Sequence, residues 1–507
     1  MSSSERASDE ETKVGNELPK MREQTIGADF VHPDAHLTVE EQKEIDRKLL
    51  WRLDIKLIPW LCLLYLISFL DRTNIGNAKV AGLTRDLNMT GGQYNAALSV
   101  FFVSYSLAEP LTNVLLKKLR PSIFLPIIMV LWGICMTLMG IVHNFEGLAA
   151  VRFFLGLAEA GLFPGVNYYL SCWYKRSEFG IRAAIFFSAA ALAGSFGGLL
   201  AAAIAQMDGI AGLHGWAWIF ILEGIFTVLV GIASYWMVHD FPDQATFLSV
   251  DDRKRVLARL KADNQASAEH EEFKMTYFWQ SVTDWKTWAY AVIYMGCDGA
   301  LYAFSLFLPT IIQELGIAGS DSPTISNLLS VPPYAAAAML TVLVGYIADK
   351  TRYRGYCNMA VSLLGIAGFS MLLGSQKPAV KYAGTFLGAC GIYPAVPNSI
   401  SWAANNVEGV YKRGVTLGFM IGWGNLNGVV SSNIYQTKDA PQYYVGHGVV
   451  LAYLTLFYGL GSVVTHLLLR QENGKRRRGE RDGWAEGKNE AEMELLGDKR
   501  PDFMYTL

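Results

Sequence analysis

The chain has 507 residues, of which 52% are hydrophobic and only 17% are charged, and its formal net charge is −2. Charged residues make up about 25% of an average soluble domain, so this composition excludes an ordinary soluble protein. The near-neutral charge also excludes the basic surface that nucleic-acid binding requires. The sequence contains no metal-ligand cluster, glycine-rich phosphate loop or Ser/His/Asp spacing. We therefore expect neither a cofactor nor an enzyme, but a protein embedded in the lipid bilayer.

The hydrophobic residues form long blocks, and a membrane helix needs about 20 mostly apolar residues. Twelve blocks satisfy this length, and they predict an all-α, polytopic membrane protein with twelve transmembrane helices. The blocks cover about residues 56–78, 93–116, 121–143, 147–171, 181–205, 216–238, 286–313, 324–348, 356–376, 379–403, 413–436 and 445–469.

A long charged stretch separates the blocks into two groups of six. We therefore predict two six-helix bundles related by pseudo-symmetry, with polar segments between and outside them. The predicted divisions are a disordered cytoplasmic N-terminal tail (1–50), the N-terminal bundle (51–238), a cytoplasmic central loop (239–285), the C-terminal bundle (286–469) and a disordered cytoplasmic C-terminal tail (470–507).

Lysine and arginine are retained in cytoplasmic loops, and this bias sets the orientation of membrane proteins. Every second connection carries these residues, whereas the alternate connections carry few. Both termini are therefore predicted to be cytoplasmic, in a multi-pass protein that we expect to be monomeric and to lie in the plasma membrane. The basic connections contain Lys117, Lys118 and Arg120, then Lys175, Arg176 and Arg182, then Lys350, Arg352 and Arg354, and finally Lys412 and Arg413.

An internal repeat relates the two halves at an offset of about 230 residues. Gly161-Leu-Phe-Pro164 in the fourth block matches Gly391-Ile-Tyr-Pro394 in the tenth. Six helices per half is an even number, so the repeats run parallel about an axis along the membrane normal. In such designs the substrate binds near the midplane between the halves, and transport follows from rocking one half against the other.

Four segments carry a family resemblance: Asp71 to Ala78, Glu109-Pro110 with Asn113, Gly345 to Arg354, and Trp402 to Arg413. The third resembles the loop signature of the major facilitator superfamily. Its first-half counterpart, Asn113 to Ser122, lacks the Gly and the Asp of that signature. In this departure the segment resembles members of the anion:cation symporter branch. As a set, the segments resemble the fungal allantoate/nicotinate permease group over about residues 50–470.

This resemblance implies proton-coupled uptake of a small carboxylate such as allantoate, nicotinate, pantothenate or biotin. It also implies that the signature loop gates transport through Asp349, Lys350 and Arg352. Lys117 and Lys118 occupy the corresponding loop of the first half.

Among the ionisable residues inside the apolar blocks, four on the first and fourth helices are the main candidates: Asp71, Arg72, Arg152 and Glu159. An ionisable side chain at the bilayer centre costs about 2.5–3.5 kcal/mol, so we interpret them as functional; the alternative is that Asp71 and Arg72 only end the first helix. Arg152 and Glu159 are two turns, about 10 Å, apart, so each needs a partner elsewhere, and Asp71 and Arg72 carry the opposite charges. The resemblance implies that Arg72 holds the substrate carboxylate. It also implies that Asp71 and Glu159 carry protons, with Arg152 paired to one of these acids.

Other polar and aromatic residues inside the blocks are candidates, each with helix packing as the alternative. Asp298 is close to the repeat partner of Asp71, and either a cavity role or a structural hydrogen bond fits it. We expect Glu109 to anchor a loop and Glu223 to pack its helix. The remaining substrate-binding candidates are the amides Asn398 and Asn405 of the tenth helix and the aromatic residues Tyr65, Tyr302 and Trp402, which could stack on a flat ring.

These observations predict an importer that carries a small organic anion together with protons by alternating access. Arg72 is the one cation left for substrate, which favours a monocarboxylate, and nicotinate fits best. A proton-coupled exporter of a toxic compound or metabolite is the alternative, and a non-transporting sensor is a third. Two candidate acids leave a stoichiometry of one or two protons open.

Overall fold

The computed structural model describes residues 37–262, 275–317, 323–487 and 496–507, and the expectation for residues 1–36 lies outside this range. Twelve long helices, α1–α12, form two groups of six, which confirms the predicted all-α architecture. The long helices are α1 Val39–Val80, α2 Gly91–Lys118, α3 Pro121–Met139, α4 Phe145–Glu159 with Leu162–Ser171, α5 Arg176–Ile204, α6 Gly215–Met237, α7 Trp285–Glu314, α8 Pro323–Thr351, α9 Arg354–Gly374, α10 Pro378–Ile392 with Ala395–Asn405, α11 Val410–Asn433 and α12 Tyr444–Arg477.

Shorter helices lie in the connections. The central loop contains Val250–Ala262 and Met275–Val282, and a single turn, Leu83–Asp86, follows α1. One end of the bundle, where α2 and α8 end and α5 begins, carries most of the basic connections; we call it the basic face.

Nine helices in the described part of the chain are long and apolar enough to cross a membrane, and α2, α10 and α11 are not among them. The sequence of α11 shows the reason, because this helix carries amides such as Asn425 and Asn427. Both amides are buried inside the protein rather than exposed to lipid. Polar side chains on these helices therefore serve contacts between helices, at the expense of average hydropathy.

The two matched motifs of the repeat coincide with two matched breaks. α4 is interrupted between Glu159 and Leu162, and α10 between Ile392 and Ala395. A proline, Pro164 or Pro394, lies at each break, and proline removes a backbone donor from a helix. The fourth helix of each half therefore has a second segment that runs on towards the basic face.

The first helix begins earlier than the sequence predicted, at Val39 rather than near residue 56, so residues 39–50 are helical rather than disordered. A capping box fixes this start, because the Thr38 side chain accepts from the Glu41 backbone and the Glu41 carboxylate accepts from Thr38. Asp46 in this extension pairs with Arg259 of the central loop at 3.2 Å, and Arg52 just beyond it pairs with Asp252 at 2.6 Å. The extension therefore anchors the central-loop helix to the N-terminal half.

The C-terminal tail is ordered where the structure describes it, so the prediction of a disordered tail from residue 470 was wrong. α12 continues to Arg477, and Asp498 is 0% exposed. Its carboxylate lies 2.7 Å from Lys286 Nζ and 2.6 Å from Lys412 Nζ. Asp284 contacts the same two ammonium groups at 2.9 and 3.0 Å. A buried cluster of two lysines and two aspartates therefore ties the segment 496–507 to the starts of α7 and α11.

Side-chain hydrogen bonds to the backbone of the segment 496–507 extend this docking. Asn406 accepts from the Thr506 N–H at 2.7 Å and donates to its carbonyl at 2.9 Å, and Trp402 donates to the same carbonyl at 2.9 Å. Asn473 makes the equivalent pair of hydrogen bonds to Tyr505. Two asparagines thus hold consecutive residues of the segment in the way a neighbouring strand would.

Contacts between the two halves close the bundle at both faces. At the basic face, the Ile181 N–H of α5 donates to the Asp349 carboxylate at the end of α8. At the opposite face, Asn433 of α11 donates to Ser99 of α2 at 2.9 Å. Between α5 and α8 the backbones approach so closely that a Cβ on Gly198 would lie 2.5 Å from the Asn327 carbonyl oxygen. The protein is therefore in an occluded state.

We expect Asp498→Ala to lower the thermal stability of the purified protein. The substitution leaves two buried lysines sharing Asp284, and removal of one partner from a buried ion pair costs about 3–5 kcal/mol. Thermal unfolding in detergent, monitored as the loss of the monodisperse peak in size-exclusion chromatography, measures the change. Asp502→Ala is the matched control, because the Asp502 side chain in the same segment is 72% exposed. Equal melting temperatures for the two variants would contradict the docking of this segment.

Candidate functional site

A buried ion pair joins the first and fourth helices at the centre of the molecule. Arg72 Nη2 lies 2.7 Å from Glu159 Oε1, and the two residues are 4% and 1% exposed. Ser68, one turn before Arg72 on α1, donates to the same carboxylate oxygen at 2.5 Å. Glu159 is the last residue of the first α4 segment, so the helix break sets the position of its side chain. Of the predicted pairings, this one between α1 and α4 is present.

A chain of hydrogen bonds continues from this pair across the boundary between the halves. Arg72 Nη1 donates to the Tyr302 hydroxyl at 2.9 Å, and Tyr302 donates to Asn425 Oδ1 at 2.7 Å. Asn425 Nδ2 then donates to Glu109 Oε2 at 2.9 Å. The chain thus runs from Glu159 in the N-terminal half through α7 and α11, and returns to the N-terminal half at α2.

Aromatic rings surround the guanidinium of Arg72. The ring centres of Phe101, Tyr105 and Tyr302 lie 5.4, 4.9 and 5.7 Å from Arg72 Cζ. Such distances allow cation–π attraction. The site therefore combines one cation with flat apolar walls, a setting suited to an anion that also has a planar apolar part.

Asp71 points away from Arg72 and into the N-terminal half. Its Oδ2 accepts from Trp132 Nε1 of α3 at 3.0 Å and contacts the Thr227 hydroxyl of α6 at 2.8 Å. Glu223, one turn before Thr227, is buried, and neither of its carboxylate oxygens has a hydrogen-bond partner. Asp71 and Glu223 therefore form a second acidic region, which lies between α1, α3 and α6 on the side of α1 away from Arg72.

Among the residues that the structure describes, no acid forms an ion pair with Arg152, contrary to the prediction from sequence. Arg152 is fully buried, its Nε donates to the Ala97 carbonyl of α2 at 3.2 Å, and its guanidinium lies 4.9 Å from the centre of the Phe101 ring. The expected partner Asp71 is held by α3 and α6 instead. Because the neighbours of Arg152 lie on α2, within its own half, Arg72 is the arginine that faces the other half.

Two further candidates lie near the ion pair with different surroundings. Asp298 of α7 is buried against Gly424 of α11, within electrostatic range of Arg72, and its Oδ2 has no hydrogen-bond partner. Tyr65 stacks on Phe186 with a ring separation of 4.5 Å. Asp298 therefore faces the same region as Arg72, whereas Tyr65 is engaged in packing α1 against α5.

The tenth-helix candidates lie away from the arginine. Asn398 donates to the Arg354 carbonyl at 2.9 Å and to Asn358 at 2.7 Å, both on α9. Trp402 contacts the C-terminal segment, and Asn405 is the last residue of the second α10 segment. The sequence-based assignment of these three to the substrate site is therefore corrected, because the break in α10 directs them towards the basic face.

The signature loop bridges the halves mainly through one of its residues. Asp349 pairs with Arg354 and also accepts from the backbone of α5. Lys350 lies 5.7 Å from the ring centre of Tyr346, and Arg352 has a positive φ of 60°. The predicted gating partners Lys117 and Lys118 have side chains outside the described part of the structure.

Phe101, Tyr105 and Asn425 were not predicted from the sequence, and Glu109, which was expected to anchor a loop, instead ends the hydrogen-bond chain at Asn425 of α11. A signal was present for three of these four, because residues 101, 105 and 109 recur every four positions and so share one face of α2. Nothing marked Asn425, one of several amides in α11. Asn425 joins the hydrogen-bond chain because α11 packs against α2 of the other half, and the sequence does not specify this packing.

Comparisons with known proteins agree with this architecture. The sequence profile of the Major Facilitator Superfamily matches residues 61–432. A high-affinity nicotinic acid transporter of Saccharomyces cerevisiae is 32% identical over 462 residues, covering 91% of this chain and 85% of its own. The major facilitator-type transporter hxnP of Emericella nidulans is 31% identical over 487 residues, covering 94% and 95%. The MFS-type transporter cnsO of Penicillium expansum is 34% identical over 474 residues, covering 91% and 90%.

A solved structure shares the fold at low sequence identity. The proton:xylose symporter XylE superimposes with a TM-score of 0.60 at 14% identity, over 82% of this chain and 95% of that chain. The twelve-helix architecture, the profile match over most of the chain and the full-length fungal relatives agree with one another. This chain is therefore a membrane transporter, not an enzyme, and belongs to the Major Facilitator Superfamily.

Proposed function

We propose that the protein imports a small organic monocarboxylate together with protons, and that nicotinate is the first substrate to test. The observation that carries this proposal is the buried Arg72–Glu159 ion pair at the boundary between the halves. A substrate carboxylate and the Glu159 carboxylate are chemically alike, so they compete for the same guanidinium. Protonation of Glu159 frees Arg72 for substrate, and this competition couples the two.

The transport cycle follows from that competition. With the opposite face open, a proton binds Glu159, and Arg72 then binds the substrate carboxylate in a bidentate, charge-assisted pair. With the basic face open, loss of the proton restores the internal ion pair and displaces the substrate. For one proton, each unit of pH difference is worth about 1.4 kcal/mol, or tenfold accumulation.

The hydrogen bonds around Asp71 fit a protonated acid. The Thr227 hydroxyl has one proton, yet it lies 2.8 Å from Asp71 Oδ2 and 2.9 Å from the Glu223 carbonyl. Both contacts are satisfied when Asp71 donates to Thr227 and Thr227 donates to the carbonyl. A buried carboxylate without a cation is also costly in its charged form. We therefore assign a proton to Asp71 and a negative charge to Glu159 in the occluded state.

The walls of the site and the relatives favour an aromatic acid. Phe101 and Tyr105 flank Arg72 at distances that suit a flat ring beside the bound carboxylate. One arginine facing the other half favours one carboxylate over two. The similarity to a transporter of nicotinic acid, over most of both chains, points to the same substrate.

We further propose that the basic face is cytoplasmic and that the protein works as a monomer in the plasma membrane. The basic connections alternate along the chain, as cytoplasmic loops do. The start of α1 and the segment 496–507 both lie at the basic face. Both ends of the described chain are then cytoplasmic, and proton entry from an acidic exterior drives import.

We expect Arg72→Lys to reduce acid-stimulated uptake of labelled nicotinate at least tenfold. Lysine keeps the charge but lacks the planar fork, and a hydrogen bond to a charged group is worth about 1.5–3 kcal/mol. Uptake at pH 5 and pH 7 in cells that lack their own nicotinate transport measures the effect. Arg85→Lys is the control, because the Arg85 side chain is 80% exposed. Transport of a neutral sugar or an amine that is indifferent to Arg72 would contradict the proposed site.

We expect Glu159→Gln to retain exchange of substrate across the membrane while losing accumulation driven by a pH gradient. Glutamine accepts hydrogen bonds but releases no proton, so binding and transport become independent of pH. Counterflow and net uptake in reconstituted vesicles separate the two activities. Glu146→Gln, an exposed residue in the first turn of the same helix, provides the control. If Glu159→Gln accumulates substrate at acid pH as strongly as the unsubstituted protein, Glu159 is not the coupling acid.

We expect Arg120→Cys to react with a membrane-impermeant maleimide only after the cells are opened, and His143→Cys to react on intact cells. Both residues are exposed, in connections at opposite faces of the bundle. The unsubstituted protein, whose native cysteines are buried or half-buried, gives the background. The reverse labelling pattern would invert the orientation and, with it, the direction of import.

A further inference from the structure

Glu109 is an acid inside the bundle for which the mechanism above has no use. It lies on α2 and is 2% exposed. Asn425 Nδ2 donates to its Oε2, and its Oε1 has no hydrogen-bond partner. No lysine or arginine in the described part of the chain pairs with it. A carboxyl group in this setting is stabilised as the neutral acid, because the charged form would be buried without a counter-ion.

The hydrogen bonds that reach Glu109 have a fixed direction. Arg72 can only donate, so the single hydroxyl proton of Tyr302 points to Asn425 Oδ1. The Asn425 amide group then points its Nδ2 at Glu109, which must accept on Oε2. When Arg72 turns from Tyr302 to a substrate carboxylate, this constraint on Tyr302 is lost. Occupancy of the arginine is thus communicated to the contact between α2 and α11.

Glu109 lies closer to the basic face than to the opposite face. Glu109 lies nine residues before the end of α2 at Lys118, about 14 Å from the basic face, and about 27 Å from the start of α2 at Gly91. Its partner Asn425 belongs to the other half. Separation of α2 from α11 therefore breaks the one described hydrogen bond to the carboxyl group and admits water to it.

We propose that Glu109 is a second proton-binding residue of the transport cycle, and this inference rests on the proposed proton-coupled function. In the state open to the opposite face, water reaches Glu109 between the separated halves, and Glu109 binds a proton from that water. In the state open to the basic face it returns the proton to the water on that side. The charged and titratable groups that face it are Arg72 of α1, Asp298 of α7 and Tyr105 of α2.

This second proton changes the electrical balance of the cycle. One proton on Glu159 and one substrate monoanion carry no net charge. A further proton on Glu109 moves one positive charge inwards per substrate. Transport then responds to membrane voltage, which a one-proton cycle with a monoanion does not.

The test is the voltage dependence of nicotinate uptake by the full-length protein in liposomes, with a potassium diffusion potential set by valinomycin. For the unsubstituted protein, an inside-negative potential of 100 mV raises the accumulation ratio about fifty-fold, which corresponds to about 2.3 kcal/mol for one charge. Glu109→Gln keeps the hydrogen-bond acceptor for Asn425 but binds no proton. It retains uptake driven by pH and loses the response to voltage. Glu109→Asp keeps an ionisable carboxyl and retains that response.

The outcomes separate this inference from the function on which it rests. Uptake by the unsubstituted protein that responds to pH but not to voltage overturns the role of Glu109 and leaves the proposed function in place. Full voltage dependence in Glu109→Gln, or its loss in an active Glu109→Asp, overturns the role as well. If Glu109→Gln is inactive, the Glu109→Asp result decides. Uptake that ignores the pH gradient in the unsubstituted protein contradicts the proposed function itself.

Discussion

The desolvated ion pair between Arg72 and Glu159 is the constraint around which the molecule is organised. Each ion loses several kcal/mol of hydration on burial, and a buried pair is sustained only by close geometry and further hydrogen bonds. The structure supplies these from Ser68 and Tyr302 on two different helices. The break in α4 places Glu159 at a helix end, and rings on α2 cover the guanidinium. In the proposed cycle a substrate carboxylate replaces the Glu159 carboxylate at this arginine, and the likeness of the two groups makes the exchange reversible.

Polar contacts between the halves determine how they can separate. Within lipid, apolar packing gives little preference for one helix arrangement over another, so interhelical hydrogen bonds and close backbone contacts carry much of the association. Here the contacts between halves combine both: Gly198 of α5 packs directly on α8, and Asn425 links α11 to α2. Each polar contact can be exchanged for water without leaving a charge buried. The proposed alternating access requires the halves to part at one face at a time while the other face remains closed.

The fold could be predicted from sequence to a large extent, and the site only in part. Hydropathy and the matched Gly161 and Gly391 motifs specify twelve helices in two similar halves, because both signals depend on residues close together in the chain. Arg72 stands out because a charge in an apolar block is costly. The tenth-helix amides such as Asn398 were misassigned, since the break in α10 changes where its second segment points. Arg152 and Asn425 could not be placed, because their surroundings depend on which helices pack together across hundreds of residues.

The docked segment 496–507 has a consequence for the biogenesis of the protein. Lys286 lies in the first turn of α7 and Lys412 in the first turn of α11, and both are buried in an environment in which Asp498 supplies half of the compensating charge. Asp498 is synthesised after all twelve helices, so it reaches them only once every helix has left the ribosome. Until then the two lysines share the single negative charge of Asp284, and the segment that covers the start of α7 is not yet in place. The C-terminal half therefore completes this cluster only after all of its helices have been synthesised, and a chain truncated before Asp498 leaves the cluster with one aspartate for two lysines.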